Sequence, residues 1–367
     1  MSSGTILKEA SHQWASRPSD QRFLSLSDLK AHVEKRKHES WTAAPAVKDL
    51  QIKAPETGNS LTVELFDPTI GDRREVAPTN FSFGQLAGYA KAPAAYLRGL
   101  PAALAAINLQ WGLDNNPQRD SALILGQSNG DHTLRAITSE SYGRIWDIEV
   151  VEAVDKANAN GRWQIPYATY QKDNPKRATT LYASDRDVFI FLVDPKNEIT
   201  VPGLDKPFYR GFYVWNSEVG AGTFGLTTFI YNTVCDNRTI WGATDVQELR
   251  IRHTAGAPKR FEYEGAKYLN RYSNESAVGI VDTIKKATEK VIDVADRSRK
   301  GIANWLQERG FTKGVAAASV DAAFAEEGDA RTLWQIVQGV TAHARSVSNQ
   351  DDRTSLESAA GKLLLAA

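Results

Sequence analysis

The chain has 367 residues, with 44 Lys+Arg against 44 Asp+Glu, 42% hydrophobic and 24% charged residues. That length can bury a core without disulfides or metal, and zero net charge excludes a histone-like polycation or an acidic DNA mimic while leaving room for a local basic patch. Cys235 is the single cysteine, no stretch approaches 18 apolar residues, and no apolar leader stands in the first 25, so a cytoplasmic protein with no membrane association is expected.

Residues 1–45 read as a polar N-terminal arm, ordered on a partner, with a helix over Phe23 to His38 that places Leu26, Leu29 and Val33 on one face. Strands are predicted at Gln51 to Lys53 and at Leu61 to Phe66, where apolar and polar residues alternate. Phe81 to Ala90 reads as a helix capped by Asn80 or Ser82. Pro93 and Pro101 then open two more, Ala94–Gly99 and Ala102–Trp111. A hairpin joins Ser121–Gly126 to His132–Thr138 across an Asn129-Gly130 turn, and a helix follows over Asp147–Asn160. Two further hairpins pair Arg177–Ala183 with Asp187–Val193 and Phe208–Ser217 with Phe224–Val234, and another strand runs on to Trp241. From Glu275 to Arg309 apolar residues recur at spacings of three, four and seven, which predicts one long helix of roughly 50 Å. Helices over Val315–Glu326, Arg331–Val347 and Thr354–Ala366 follow. The class is α+β: an antiparallel, hairpin-rich core over 46–272, then the long helix and a helical C-terminal region over 273–367.

Motifs of known chemistry are few. Gly220-Ala221-Gly222-Thr223-Phe224-Gly225 spells G-x-G-x-x-G, but the residues after it are β-branched and aromatic, so it continues a strand and does not open a phosphate-binding helix. It reads as a hairpin loop. None of the six histidines pairs with a His or Cys at ligand spacing, and Cys235 sits in an apolar strand as an inert thiol. No catalytic, cofactor-binding or metal-binding residue is assigned.

Charge is concentrated locally. Arg250, Arg252, Lys259, Arg260, Lys267 and Arg271 crowd one segment, interleaved with Tyr263, Tyr268 and Tyr272. Arg210 lies on a strand with aromatics on both faces. Cations that neutralise phosphates and rings that stack bases are what a single-stranded nucleic-acid groove requires. A solvated helix face beside a doubly buried strand is the alternative. Candidate nucleic-acid contacts are therefore Arg210, Arg250, Arg252, Lys259, Arg260, Tyr263, Tyr268 and Arg271.

Several stretches, in order, carry a family resemblance: Phe83-Gly84-Gln85-Leu86-Ala87 with Tyr96-Leu97-Arg98; Leu134 to Ser139 with Tyr142-Gly143-Arg144; Leu181 to Asp187; Arg210-Gly211-Phe212 with Asn216-Ser217-Glu218; Tyr231-Asn232 with Cys235-Asp236-Asn237; and Thr332-Leu333-Trp334 with Val340-Thr341-Ala342. From about residue 60 onward the chain resembles the phage/plasmid-like proteins grouped as domain of unknown function 932. The resemblance implies a mobile-element origin and supplies no catalytic residues. A fold-level analogy to ring-forming single-strand annealing proteins suggests a homo-oligomer that binds single-stranded DNA. Two other readings stand: a non-enzymatic host-interaction or structural protein, and a nucleic-acid- or nucleotide-processing enzyme with Arg210, Asn216, Glu218, Asp236 and Asn237 at one end of a hairpin.

Overall fold

The computed structural model describes residues 21–55, 60–68, 70–165, 180–204, 207–232, 244–274, 278–347, 356 and 359–364. Two six-stranded sheets organise the chain. The first contains β1 (Arg22–Phe23), β8 (Leu181–Ala183), β9 (Val188–Val193), β10 (Phe208–Asn216), β11 (Phe224–Asn232) and β12 (Thr244–Ile251), in the order β1-β8-β9-β10-β11-β12. Every neighbouring pair in it is antiparallel. The second orders β2 (Ser40–Ala43), β6 (Leu123–Ser128), β7 (His132–Thr138), β5 (Asp72–Pro78), β4 (Thr62–Asp67) and β3 (Gln51–Lys53). Its one parallel pair is β5 with β7.

The expected hairpins 123–138, 181–193 and 208–232 form. The G-x-G-x-x-G run is the connection of the last, with Gly220 at φ 92° turning the chain between strands. β10 is buried on both faces, as is β9. One face presents Val188, Ile190, Leu192, Phe212, Val214 and Leu226 to α1 (Leu26–His38), α5 (Asp147–Ala157) and α7 (Ala266–Asn274). The other carries Tyr182, Phe189, Tyr213 and Trp215, whose rings follow one another at centroid distances of 6.0, 6.0 and 5.7 Å. Trp215 lies flat over Gly225 on the paired strand. A Cβ there would fall inside the indole.

The second sheet is covered by α2 (Asn80–Tyr89), α3 (Ala94–Arg98) and α4 (Ala102–Asn115), which bring Leu86, Leu97, Leu109 and Leu113 onto Val63, Leu65, Ile124 and Ile137. Thr79, and neither Asn80 nor Ser82, caps α2, its side chain accepting from Ser82 N–H. Pro93 and Pro101 occupy the N-caps of α3 and α4. Beyond α7 come α8 (Val278–Glu289), α9 (Arg299–Gln307), α10 (Lys313–Glu327) and α11 (Leu333–Ser346), with residues 359–364 also helical. They share a core that reaches Phe208 and Ile230 of the first sheet, with Phe208 edge-on to Trp334 at 5.4 Å.

Two expectations are corrected. Residues 22–43 are no arm: β1 and β2 edge the two sheets, and Leu29 and Val33 of α1 are core residues. The long helix over 275–309 is two helices, because Val291 bridges to Thr332 and the backbone of Ile292 donates to Arg331 O at 3.1 Å. Ser298 then caps α9, and the chain folds back so tightly that a Cβ on Gly301 would overlap the Asp296 carbonyl. Strand β12 was not anticipated. Cys235 and the strand expected to reach Trp241 lie outside the described residues at 233–243.

Candidate nucleic-acid interface and a buried ionic cluster

The basic segment starts at the end of β12 and continues through α6 (Ala257–Arg260), a wide π-turn over Phe261–Gly265, and α7. Ala257, Phe261, Leu269 and Tyr272 face the core. Lys259, Tyr263, Lys267 and Arg271 are exposed at intervals of four. Four residues of α-helix overshoot a full turn by about 40°, which would wind such a series around the axis. The π-turn, with more residues per turn, lessens that drift between Lys259 and Lys267. Tyr263 is 68% exposed, with Lys267 Nζ 3.9 Å from its ring centre. Arg271 lies 5.5 Å from the ring centre of the half-buried Tyr268. Arg252 is exposed and Arg250 half-buried. Arg260 is exposed but engaged: Nε and Nη2 donate to the two carboxylate oxygens of Glu264 at 3.0 and 2.8 Å, which raises the arginine's pKa and lowers the glutamate's.

Arg210 leaves this set. Its side chain is 2% exposed, with Nη1 donating to Tyr272 O at 3.2 Å and the guanidinium 5.6 Å from the Tyr272 ring centre, so it fastens α7 to the sheet from inside. A charged residue on a strand reads the same in sequence whether its face is open or covered.

A second constellation lies between the two sheets. Arg36 from the end of α1, Arg135 from β7, Arg144, Asp147 from the first turn of α5 and Glu218 after β10 are each no more than 8% exposed. Glu218 is its centre. Arg135 Nη1 and Arg36 Nε lie 2.7 and 3.2 Å from its Oε1, the Asp147 N–H donates to its Oε2 at 3.0 Å, and Arg144 donates to its carbonyl oxygen. Arg36 also pairs with Asp147 and donates to Ser184 O at 2.6 Å. Asn216 Nδ2 donates to Asp147 Oδ1 at 2.6 Å and to Ile145 O at 2.9 Å. The Tyr142 hydroxyl donates to Ser217 O at 2.8 Å, and its ring stacks on His253 at 5.0 Å. His253 Nδ1 donates to Gly143 O at 3.0 Å.

Three guanidiniums face two carboxylates here. Burial alone would raise Glu218, but Arg36, Arg135 and the Asp147 N–H outweigh it and bring its pKa down to about 2. Asp147 moves the other way, to about 8, through burial and the charge of Glu218. Burial holds His253 down at about 4, with Arg144 adding to the effect. Most of the polar groups are engaged with one another and with backbone carbonyls, so the cluster ties the sheets together, while Arg135 Nη2, Arg144 Nη2, Asn216 Oδ1 and His253 Nε2 are buried without a hydrogen-bond partner among the described residues.

Asn216 and Glu218 are thus together, as the enzyme reading expected, but Arg210 is elsewhere, and Asp236 and Asn237 lie outside the described residues. Sequence reasoning missed Arg36, Arg135, Arg144 and Asp147 as partners. The available signal was Arg135 inside the apolar run Leu134 to Ile137, which requires a buried counter-charge.

Among the described residues, no His, Cys, Asp and Glu group could hold a metal ion, and no helix is long and apolar enough to cross a membrane. A family model described as domain of unknown function (DUF932) matches residues 136–360, and the chain belongs to that family. The match takes in the basic segment and Tyr142, Arg144, Asp147, Asn216 and Glu218, while Arg36 and Arg135 precede it. No curated protein and no solved structure matches the chain.

Proposed function

We propose that this protein is a nucleic-acid-binding module that holds single strands, with Arg252, Lys259, Tyr263, Lys267, Tyr268 and Arg271 as its contact residues. The observation that carries the reading is the exposure of Lys259, Tyr263, Lys267 and Arg271 at intervals of four, with Lys267 Nζ 3.9 Å from the Tyr263 ring centre. Successive members rise about 6 Å along the helix, comparable to the step between neighbouring phosphates of an extended strand. Lysine and arginine heads release counterions from phosphates, and a tyrosine contributes about 1–3 kcal/mol by stacking a base. Such a module needs no acid, base or metal. An enzyme built on Asn216 and Glu218 has less support, because both are buried and held by Ile145, Asp147 and Arg135.

The test is fluorescence anisotropy with a labelled oligothymidine across a salt series. The wild type is expected to bind at low salt and to weaken steeply as salt rises. Replacing Lys259, Lys267 and Arg271 together by Ala flattens that slope. No anisotropy change for the wild type at low salt rejects the reading.

A further inference from the structure

One helix turns an apolar face outward. On α4 the inner face is fixed: Leu109 and Leu113 are core residues, Gly112 packs against Ala90, and the Ile52 N–H donates to Gln110 Oε1 at 2.7 Å. Its outer face carries Leu104, Ile107 and Trp111, at positions i, i+3 and i+7, exposed by 49, 64 and 65%. Tyr96 on the adjoining α3 is 62% exposed. A row of large apolar side chains on a rigidly held helix marks an interaction surface and not ordinary surface scatter.

We infer that this stripe is the interface with a second copy of the chain, formed by two α4 helices packed antiparallel about a two-fold axis. A two-fold contact sets the same patch against itself, so the patch must not repel its own copy. Helix α4 contains no Lys or Arg, and its only charged residue is Asp114 near the C-terminal end. Facing Leu104 with Trp111 across the axis puts Ile107 and Asn108 at the centre, and Asp114 then falls opposite Pro101 of the second copy. Pro101 is the N-cap of α4 and supplies no side-chain cap, and no acidic residue stands in the first turn. The free N–H groups and positive dipole end there would receive the carboxylate twice, once at each end of the pair. A tryptophan or tyrosine buries roughly 150–250 Å², so the stripe offers several hundred Å² per copy. The pair then reaches about 1,000 Å², the lower range of a specific interface. An anionic membrane surface is the poorer fit, since helices that lie on one carry cations on their polar face.

The test uses the full chain in size-exclusion chromatography with light scattering over a concentration series. The expected result is a rise toward twice the mass of one chain for the wild type, and one-chain mass for Ile107→Glu with an unchanged thermal midpoint. In a Cys235→Ser background, Asn108→Cys is expected to cross-link rapidly into disulfide-bonded pairs on oxidation, because position 108 meets its own copy at the axis. A wild type that stays at one-chain mass overturns the inference. So does an assembly of any size that survives both Ile107→Glu and Trp111→Glu, or a one-chain protein that sediments with phosphatidylglycerol vesicles and loses that property in Ile107→Glu.

Discussion

Arg135 and Glu218 join the two sheets directly: Nη1 of the first, on β7, lies 2.7 Å from Oε1 of the second, just beyond β10. The pair is a cross-brace beside the small apolar cluster of Leu125, Ala136 and Val219, with Phe81 and Trp146 packed against it. Removing one member leaves a buried charge without its counter-charge. Glu218→Gln is expected to cost about 3–5 kcal/mol, read as a lower urea midpoint at constant slope. Arg135→Met combined with Glu218→Gln should cost clearly less than the two single changes added together. A strictly additive double variant would show that the two residues do not interact.

Acid stability should follow His253. Its folded pKa of about 4 lies below the ordinary 6.5, so between those values the unfolded chain binds more protons than the folded one. The stabilisation is complete above pH 6.5 and is lost as pH falls through 4. His253→Gln should flatten the thermal midpoint over that window. Asp147 acts in the opposite sense: with its folded pKa at about 8 against 3.8, its contribution is complete below pH 4 and lost as pH rises through 8. Asp147→Asn should therefore reduce the alkaline fall between pH 6 and 8. NMR titration of the His253 ring at an ordinary pKa near 6.5 would contradict the first half.

The hairpin glycines separate packing from motif. Gly225→Ala drives a methyl into Trp215 and is expected to destabilise by about 1–3 kcal/mol or more, visible in thermal melts. Gly222→Ala meets no atom within 4 Å and should be close to neutral, although both glycines belong to the same G-x-G-x-x-G run. Equal effects at the two positions would argue against the indole as the cause.

Within the basic stripe, engagement should rank the cations. Arg260 shares its charge with Glu264, so Arg260→Ala is expected to weaken oligonucleotide binding less than Lys267→Ala. Glu264→Gln should strengthen binding by releasing Arg260. A weaker Glu264→Gln variant would reverse this order and show that the pair orients the arginine productively.

The hairpins were legible because runs of apolar, β-branched and aromatic residues are closed by turns of recognisable chemistry, as at Asn129-Gly130 and Ser184-Asp185-Arg186. Strand β12 was not, since Thr244 to Ile251 mixes three charged residues into a pattern that only pairing with β11 makes regular. The break at Lys290–Ser298 was hidden for a similar reason: Val291 and Ala295 keep the helical spacing, and a bridge to Thr332, 41 positions on, overrides it. Of the surface site, Lys259, Tyr263 and Arg271 were readable as composition. The π-turn among them was not, because such a turn has no sequence signature of its own. Arg144 and Glu218 stood within the stretches that carried the family resemblance, yet nothing local in either stretch signals that they meet.

Arg36 also constrains the order of events during synthesis. It leaves the ribosome about 180 residues before Glu218, the carboxylate nearest its Nε. At about 5–20 residues per second, roughly ten to forty seconds pass between the two; Asp147, the other carboxylate partner of Arg36, arrives part-way, but the Leu29–Val33 face still waits for the middle strands. Strand β1 and helix α1 therefore cannot settle early, as amino-terminal units commonly do. They wait for the central hairpins, and a nascent chain stalled before residue 218 should present that helix to chaperones and proteases.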